Sequence, residues 1–214
     1  MLEEKQAMPR ARGRPRAYDP DRALAAAMQA FWRLGFAGTS LEELSAATDM
    51  NRPSMYAAFG DKRTLYRKTL DSYIATAQQQ SARIFDAKVG FAEGLTEFFT
   101  AALAWYLPEG GPPRGCYLIA TAATECMLDE NVKLRLQVAL DRFDELIGQR
   151  VRQAQAAGEL SATVDAAALA SMVLGVVHTL ALRARAGVAR AALEKIIAGA
   201  VRAICGPNAG QLPA

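Results

Sequence analysis

Hydrogen-bonding side chains stand among small residues between positions 39 and 62, where Asn51, Arg52 and Lys62 are found. An Arg guanidinium can form paired hydrogen bonds with a guanine edge, whereas Asn and Lys side chains also bind phosphate oxygens. Small neighbours such as Ala57 would let this surface approach the floor of a groove. The chemistry that these residue types could perform together is the binding of DNA.

Two short helices joined by a tight turn are predicted to position these side chains. Ser40 is a typical N-cap residue, and Glu43 three residues later completes a capping box. The first helix is therefore predicted over residues 40–48, and the turn over 49–51. Lys62, at the start of the next helix, would meet a phosphate together with the positive end of the helix dipole.

The second helix is predicted over residues 52–59, with Asn51 as its N-cap. Met55, Tyr56 and Phe59 are spaced three and four residues apart, so part of this stripe must pack inward and anchor the helix. The outward face then carries Arg and small residues that can enter a major groove. The residues predicted to contact DNA are Thr39, Ser40, Asn51, Arg52, Pro53, Ser54, Tyr56, Ala57 and Lys62.

The segment resembles the DNA-binding domain of the tetracycline-repressor (TetR/AcrR) family of bacterial transcription regulators. Members typically have a Thr-Ser start, an Ala-rich first helix, a Leu-Tyr-x-x-Phe recognition helix and a downstream Lys. The corresponding residues are Thr39-Ser40, residues 44–47, Met55-Tyr56 with Phe59, and Lys62. The resemblance covers roughly the first third of the chain. Pro53 replaces a common Gly and Ala58 a common His, which leaves the exact base contacts open.

Helical periodicity continues after this segment, and strand-like alternation is nowhere sustained. The chain is predicted to be all-α, with an N-terminal three-helix helix-turn-helix DNA-binding domain and a C-terminal helical ligand-binding and dimerisation domain. The predicted divisions are a flexible basic arm (1–17), the helix-turn-helix domain (18–64, motif at about 40–59), the helical domain (65–206) and a tail (207–214). Helices outside the motif are predicted over 20–34, 61–86, 91–107, 115–127, 130–157, 165–186 and 189–204.

Positive charge is concentrated at the start of the chain. Residues 1–70 contain 12 Lys and Arg against 8 Asp and Glu, a net charge of +4, whereas the remainder has a net charge of −1. The densest basic segment, residues 10–16, is too rich in Arg, Gly and Pro to form a packed helix. Such an arm follows a phosphate backbone or enters a minor groove, or it is a solubilising tail. The sequence leaves both alternatives open.

The helix predicted over residues 165–186 is apolar on most of its circumference, which is typical of a buried helix. Near the end of a chain, a second copy could cover it, and the family resemblance implies a four-helix dimer interface. The residues predicted for that interface are Met172, Val173, Val176, Leu180, Leu193, Ile197 and Val201. A dimer would bind two half-sites of a palindromic operator. The alternative is the internal core of a monomer.

The middle helices combine aromatic residues with sparse polar groups, which is the composition of a ligand pocket and also of an ordinary core. An effector pocket follows from the resemblance. The residues predicted to line it are Phe98, Phe99, Tyr106, Cys116, Tyr117, Thr121, Thr124, Met127 and His178. Cys116 follows Arg114 and begins a predicted helix, so it is either a reactive thiol or a small core residue.

Other function classes find little support in the sequence. Three cysteines match no metal-binding spacing, and one histidine without a catalytic grouping offers few acid–base options. No cofactor and no metal are predicted, no apolar run approaches a membrane span, and a cytoplasmic location is expected. We predict a homodimeric transcription regulator, a repressor that responds to a small-molecule effector. The alternative is a helical-bundle carrier or enzyme without a DNA-binding role.

Overall fold

A computed structural model describes residues 19–86 and 89–206, and within these ranges the chain is helical without strands. The predicted all-α fold is confirmed. The helices are α1 (Pro20–Gly38), α2 (Leu41–Thr48), α3 (Arg52–Phe59), α4 (Lys62–Asp86), α5 (Phe91–Tyr106), α6 (Ala123–Glu125), α7 (Glu130–Ala156), α8 (Ala166–Arg185) and α9 (Arg190–Cys205). The predicted arm (1–17) and tail (207–214) lie outside the described residues.

Local caps start the helices at the predicted places. Ser40 Oγ accepts a hydrogen bond from the Glu43 backbone N–H at 3.1 Å, and the Glu43 carboxylate accepts one from the Ser40 N–H at 2.6 Å. The predicted capping box is therefore confirmed. Asn51 caps α3 by accepting a backbone N–H at 2.9 Å. Asp129 and Asp165 cap α7 and α8 in the same way.

The segment predicted as one helix over residues 115–127 is instead a π-helical turn, Leu118–Ala122, followed by the short α6. Its hydroxyls are bound to α4: the Tyr66 hydroxyl donates to Thr121 Oγ1 at 2.9 Å, and the Thr69 and Tyr117 hydroxyls are 2.8 Å apart. Isolated π turns occur frequently at functional sites. These contacts attach the turn to α4, the helix that follows the predicted helix-turn-helix.

Two apolar clusters fill the interior. The first lies between α1, α2, α3 and the first half of α4, and includes Phe31, Leu44 and Leu70, each fully buried. We call these four elements the head. The second cluster lies between α5, α7, α8 and α9. Residues of the π turn and of α7 extend the first cluster into the helical body, and Trp105 and Cys116 pack against both clusters.

Helix α8 has the length and the apolar composition of a membrane span. This corrects the prediction that no apolar run approaches that length. Within the fold the helix packs against α5, α7 and α9, and 39% of its most apolar stretch is buried. Its inward face belongs to the core of the body, which accounts for part of its apolar character.

Five of the seven residues predicted for a dimer interface are buried inside the chain, which corrects that assignment. They are Val173, Leu180, Leu193, Ile197 and Val201. Their side chains lie on the faces of α8 and α9 that pack into the body, which leaves little or none of their surface for a second copy. Val176 is half-buried against the same core, whereas Met172 is 63% exposed.

Candidate nucleic-acid interface and effector cavity

Helix α3 is held by two buried side chains and presents one face to solvent. Met55 and Phe59 are 2% and 6% exposed, whereas Tyr56, between them in sequence, is 46% exposed. Pro53 and Ala57 lie on the same exposed side of the helix. The short exposed side chains leave the α3 backbone accessible, as entry into a major groove requires.

Thr39, predicted to contact DNA, is fully buried. Its hydroxyl donates to the Gly35 carbonyl oxygen at 2.6 Å, at a break in α1 where Gly35 has φ 74°. The Thr39 side chain is therefore not part of the candidate interface. Its hydrogen bond stabilises the end of α1. The Ser40 and Asn51 side chains are exposed, but their oxygens are engaged in capping α2 and α3, which orients those two helices.

Two cations at the candidate interface have partners within the head. The Arg52 guanidinium forms an ion pair with the Glu42 carboxylate, and both side chains are at least half exposed. Such a surface pair contributes little to stability, so Arg52 can exchange Glu42 for another acceptor. The Lys62 ammonium lies 4.4 Å from the centre of the Phe36 ring, and burial there lowers the pKa of Lys62.

Arg52→Ala is expected to relax base preference at one symmetric position of the bound site, at a cost of about 1–3 kcal/mol for each base that Arg52 recognises. The comparison of sites selected from random DNA by the two proteins measures this effect. Arg33→Ala is the matched control, because it removes the same charge from an exposed position of α1. Identical selected sites for the two variants would contradict a base-contacting role for Arg52.

A cavity of about 250 Å³ lies in the body beside the head. Four predicted pocket residues line it: Phe98, Tyr106, Cys116 and His178. The Tyr73 hydroxyl donates to Cys116 Sγ at 3.4 Å, and burial lowers the pKa of His178 below its ordinary value. Burial therefore favours the neutral form of the imidazole. Within the part of the chain that the structure describes, no Asp, Glu, Lys or Arg lines this cavity.

The other five predicted pocket residues lie elsewhere. Phe99, Tyr117 and Thr121 are buried in the packed cores, and Thr124 and Met127 are exposed. The π turn changes the helical phase, so the segment directs Leu118, Ile119 and Ala123 at the cavity instead. The prediction missed the cavity residues of α4 and α7, because their apolar stripes are equally typical of a plain core. These include Tyr73, Gln80, Ser81, Leu136, Leu140 and Phe143.

An ion pair connects the head to the body near the start of α4. Arg63 Nη1 donates to Asp129 Oδ2 at 2.9 Å, and the Arg67 guanidinium lies 4.0 Å from the same oxygen. The hydrogen bond from Arg63 holds the pKa of Asp129 below its ordinary value. Asp129 also caps α7, so the contact ties the first turn of α4 to the first turn of α7.

Comparison with known proteins agrees with this geometry. Family models described as bacterial regulatory proteins of the tetR family and as the tetracyclin repressor-like C-terminal domain match residues 23–69 and 92–200. The HTH-type transcriptional repressor ComR of Escherichia coli is 32% identical over 193 residues, 90% of each protein. NemR of E. coli in its reduced form, at 18% identity, covers 86% of this chain and 95% of its own and shares the fold with a TM-score of 0.76.

A further relative has been solved with DNA. A cysteine mutant of the TetR family regulator CifR, complexed with a 26-base-pair double-strand operator, is 33% identical to this chain with a TM-score of 0.82. The match covers 90% of this chain and 100% of that one. By its two family models and by ComR over nine-tenths of its length, the chain belongs to the tetracycline-repressor family of bacterial transcription regulators.

Proposed function

We propose that the chain is a repressor that binds a palindromic operator as a homodimer and leaves it when a small molecule occupies the cavity. The observation that carries the proposal is the exposed face of α3, held outward by the buried Met55 and Phe59. We further propose that it acts in the cytoplasm, by binding rather than by catalysis. ComR, which is named as a transcriptional repressor, supports this direction of regulation.

The outer face of α8 supports the dimer. Met172 and Leu182 are 63% and 56% exposed, and an added Cβ at Gly175 would meet no atom within 4 Å. These positions follow one another at helical spacings of three and seven, so they form one apolar stripe with a gap at its centre. Such a face fits close packing against the same helix of a second copy.

The cavity supports an effector that is uncharged and largely apolar. Its volume of about 250 Å³ exceeds the roughly 150 Å³ of an engineered cavity that binds benzene. Hydrogen bonds are offered by tyrosine hydroxyls and by a neutral imidazole, and a charged ligand would find no counter-ion among the described lining residues. A small aromatic compound with one or two polar atoms satisfies these conditions.

Selection of bound sites from random DNA with the full chain tests the proposed function. We expect a palindromic consensus, and the logarithm of the affinity for it should fall linearly with the logarithm of salt concentration as phosphate counter-ions are displaced. Failure to enrich any sequence, with weak binding to every fragment, would favour the alternative of a helical-bundle carrier or enzyme. Binding of one half-site as strongly as two would contradict the dimer.

Two of the three thiols, Cys116 and Cys205, should react at different rates. Cys116 borders the cavity, whereas burial raises the pKa of Cys205 to about 11. Because the thiolate is the nucleophile, Cys205 should react with iodoacetamide at pH 8 about 100-fold more slowly than an ordinary thiol and accelerate up to about pH 11. Peptide mass spectrometry measures both rates, and Cys116→Ser should remove the faster of these two sites.

Modification of Cys205 before Cys116 would contradict this ordering. Operator binding followed during the reaction then decides what Cys116 does. Release of the operator from the wild type, absent in Cys116→Ser, would support a thiol sensor. Unchanged binding would leave a non-covalent ligand as the signal.

A further inference from the structure

Arg185 joins three parts of the molecule that are distant in sequence. Its Nη1 donates to the backbone carbonyl oxygens of Trp32 at 3.3 Å and Arg114 at 3.0 Å. Trp32 belongs to α1 of the head, Arg114 to the segment between α5 and the π turn, and Arg185 to the last turn of α8. One guanidinium therefore links the head to the helix proposed to form the dimer.

Arg114 and Trp32 are also bound to each other. The Arg114 guanidinium lies 4.3 Å from the centre of the Trp32 ring, and Trp32 Nε1 donates to the Arg114 carbonyl oxygen at 3.1 Å. Arg114 in addition donates through Nε to the Trp105 carbonyl oxygen at 2.9 Å. We call Trp32, Arg114 and Arg185 the joint.

The segment that follows Arg114 packs directly against α8. Gly115 has φ +66°, and a Cβ added there would lie 2.6 Å from the Ala181 carbonyl oxygen. No larger residue fits this approach without moving one of the two backbones. The segment therefore follows α8 closely at this point.

The joint borders the cavity. Tyr73, Trp105 and Cys116 line it, and the Tyr73 ring packs edge-on against the Trp32 ring at 5.3 Å between centres. Trp105 is bound to Arg114 through its carbonyl oxygen, and Cys116 lies two residues beyond Arg114. A molecule that expands the cavity at this end displaces one of these three side chains, and each is in contact with, or near in sequence to, a joint residue.

We propose that Arg185 is a positioning residue that converts occupancy of the cavity into movement of the head relative to α8. The inference rests on the proposed function. Displacement of Tyr73, Trp105 or Cys116 moves Trp32 and Arg114, and Arg185 transmits that movement to the helix on which the dimer is built. Without Arg185 the head loses the hydrogen bond from α8 to the Trp32 carbonyl oxygen. Filling the cavity then no longer favours a different separation of the two heads. Coupling between two sites requires such a differential contact.

The test uses cavity-filling substitutions in place of an unidentified ligand. Ala101→Phe and Ala102→Leu each add side-chain volume at a half-buried residue that lines the cavity. The affinity of the full-length protein for its selected operator is measured with and without each filling substitution, in the wild type and in Arg185→Ala. We expect filling to weaken binding on the order of 10-fold in the wild type and less than about 2-fold in Arg185→Ala.

Arg183→Ala is the matched control, because Arg183 is an exposed residue of the same last turn of α8. It removes the same charge from the same helix end, and the effect of filling should stay at its wild-type size. Thermal unfolding and sedimentation accompany each variant, so that an unfolded or monomeric protein is recognised. Arg114→Ala provides a second break in the joint, with the same expected loss of coupling.

Equal weakening by filling in wild type, Arg185→Ala and Arg114→Ala would overturn the inference and leave the proposed function standing. If neither filling substitution altered operator affinity in the wild type, the cavity would not regulate DNA binding, and the proposed effector site would fail with the inference. Failure of the wild type to select any operator would instead contradict the proposed repressor itself.

Discussion

Gly175→Arg is expected to convert the dimer to monomers and to lower operator affinity by at least about 100-fold. The outer face of α8 has its gap at this residue, so a long charged side chain would occupy the space proposed for a second copy. A monomer retains one α3 and loses the second half-site. Sedimentation velocity measures the first effect, and binding to the selected operator measures the second.

The fold of each chain should survive this change. In a helix interior, replacement of Gly by Arg improves helix propensity by roughly 0.5–1 kcal/mol, and a Cβ added at Gly175 meets no atom within 4 Å. Ala75→Arg, at an exposed position of α4, is a control with the same added charge. An intact dimer for Gly175→Arg would place the interface away from the middle of α8.

Gly175 is a sharper test than Val176. Val176→Glu also follows from the sequence, but Val176 is half-buried against the core of the body. A carboxylate there would destabilise the folded chain by desolvation as well as disturb a dimer. Loss of the dimer in Val176→Glu could therefore come from unfolding or from a disturbed interface. In Gly175→Arg it would come from the interface alone.

Gly115→Ala is expected to lower the free energy of unfolding by about 3 kcal/mol, the sum of a conformational cost and a packing cost. A left-handed backbone costs an L-residue roughly 1–2 kcal/mol, and Gly115 has φ +66°. Close contact of the new methyl group with the Ala181 carbonyl oxygen adds a packing cost of about 1–3 kcal/mol. Urea denaturation of the full chain measures the difference.

Gly110→Ala is the control that separates the cost of the backbone conformation from the cost of the contact with Ala181. Gly110 has φ +69°, and an added Cβ there would meet no atom within 4 Å. This variant should show only the conformational part of the cost, about 1 kcal/mol. Equal destabilisation by the two substitutions would show that the segment can move away from α8 without cost. That result would contradict the close packing of Gly115 against α8 on which the joint depends.

Much of the helix-turn-helix was predictable because its signals are local. The Ser40–Glu43 capping box and the Asn51 cap act across three residues, so the chain itself specifies where α2 and α3 begin. Met55 and Phe59 lie on one face of a helix by their spacing alone. Thr39 was misassigned because its partner, the Gly35 carbonyl oxygen, depends on a break in α1 that the sequence marks only as a helix end.

The cavity was predicted only in part, because amphipathic helices identify apolar residues without identifying what faces them. Phe98 and Tyr106 line the cavity, whereas Phe99 is packed in the core. The π turn shifted the phase after Tyr117, and a local pattern of α-helical periodicity contains no signal for that shift. The contribution of Tyr73 required knowledge of how α4 packs.

The sequence by itself determined the helical class, the DNA-binding motif and its caps, since these depend on interactions between neighbours in the chain. It could not show which face of α8 packs into the core and which is exposed, because apolar residues cover most of the helix surface. The tertiary structure placed Val173 and Leu180 inside and Met172 and Leu182 outside. It also brought Arg185 to Trp32 across 153 residues of sequence. Contacts of that range follow from the packing of whole helices, and no periodicity within a single helix encodes them.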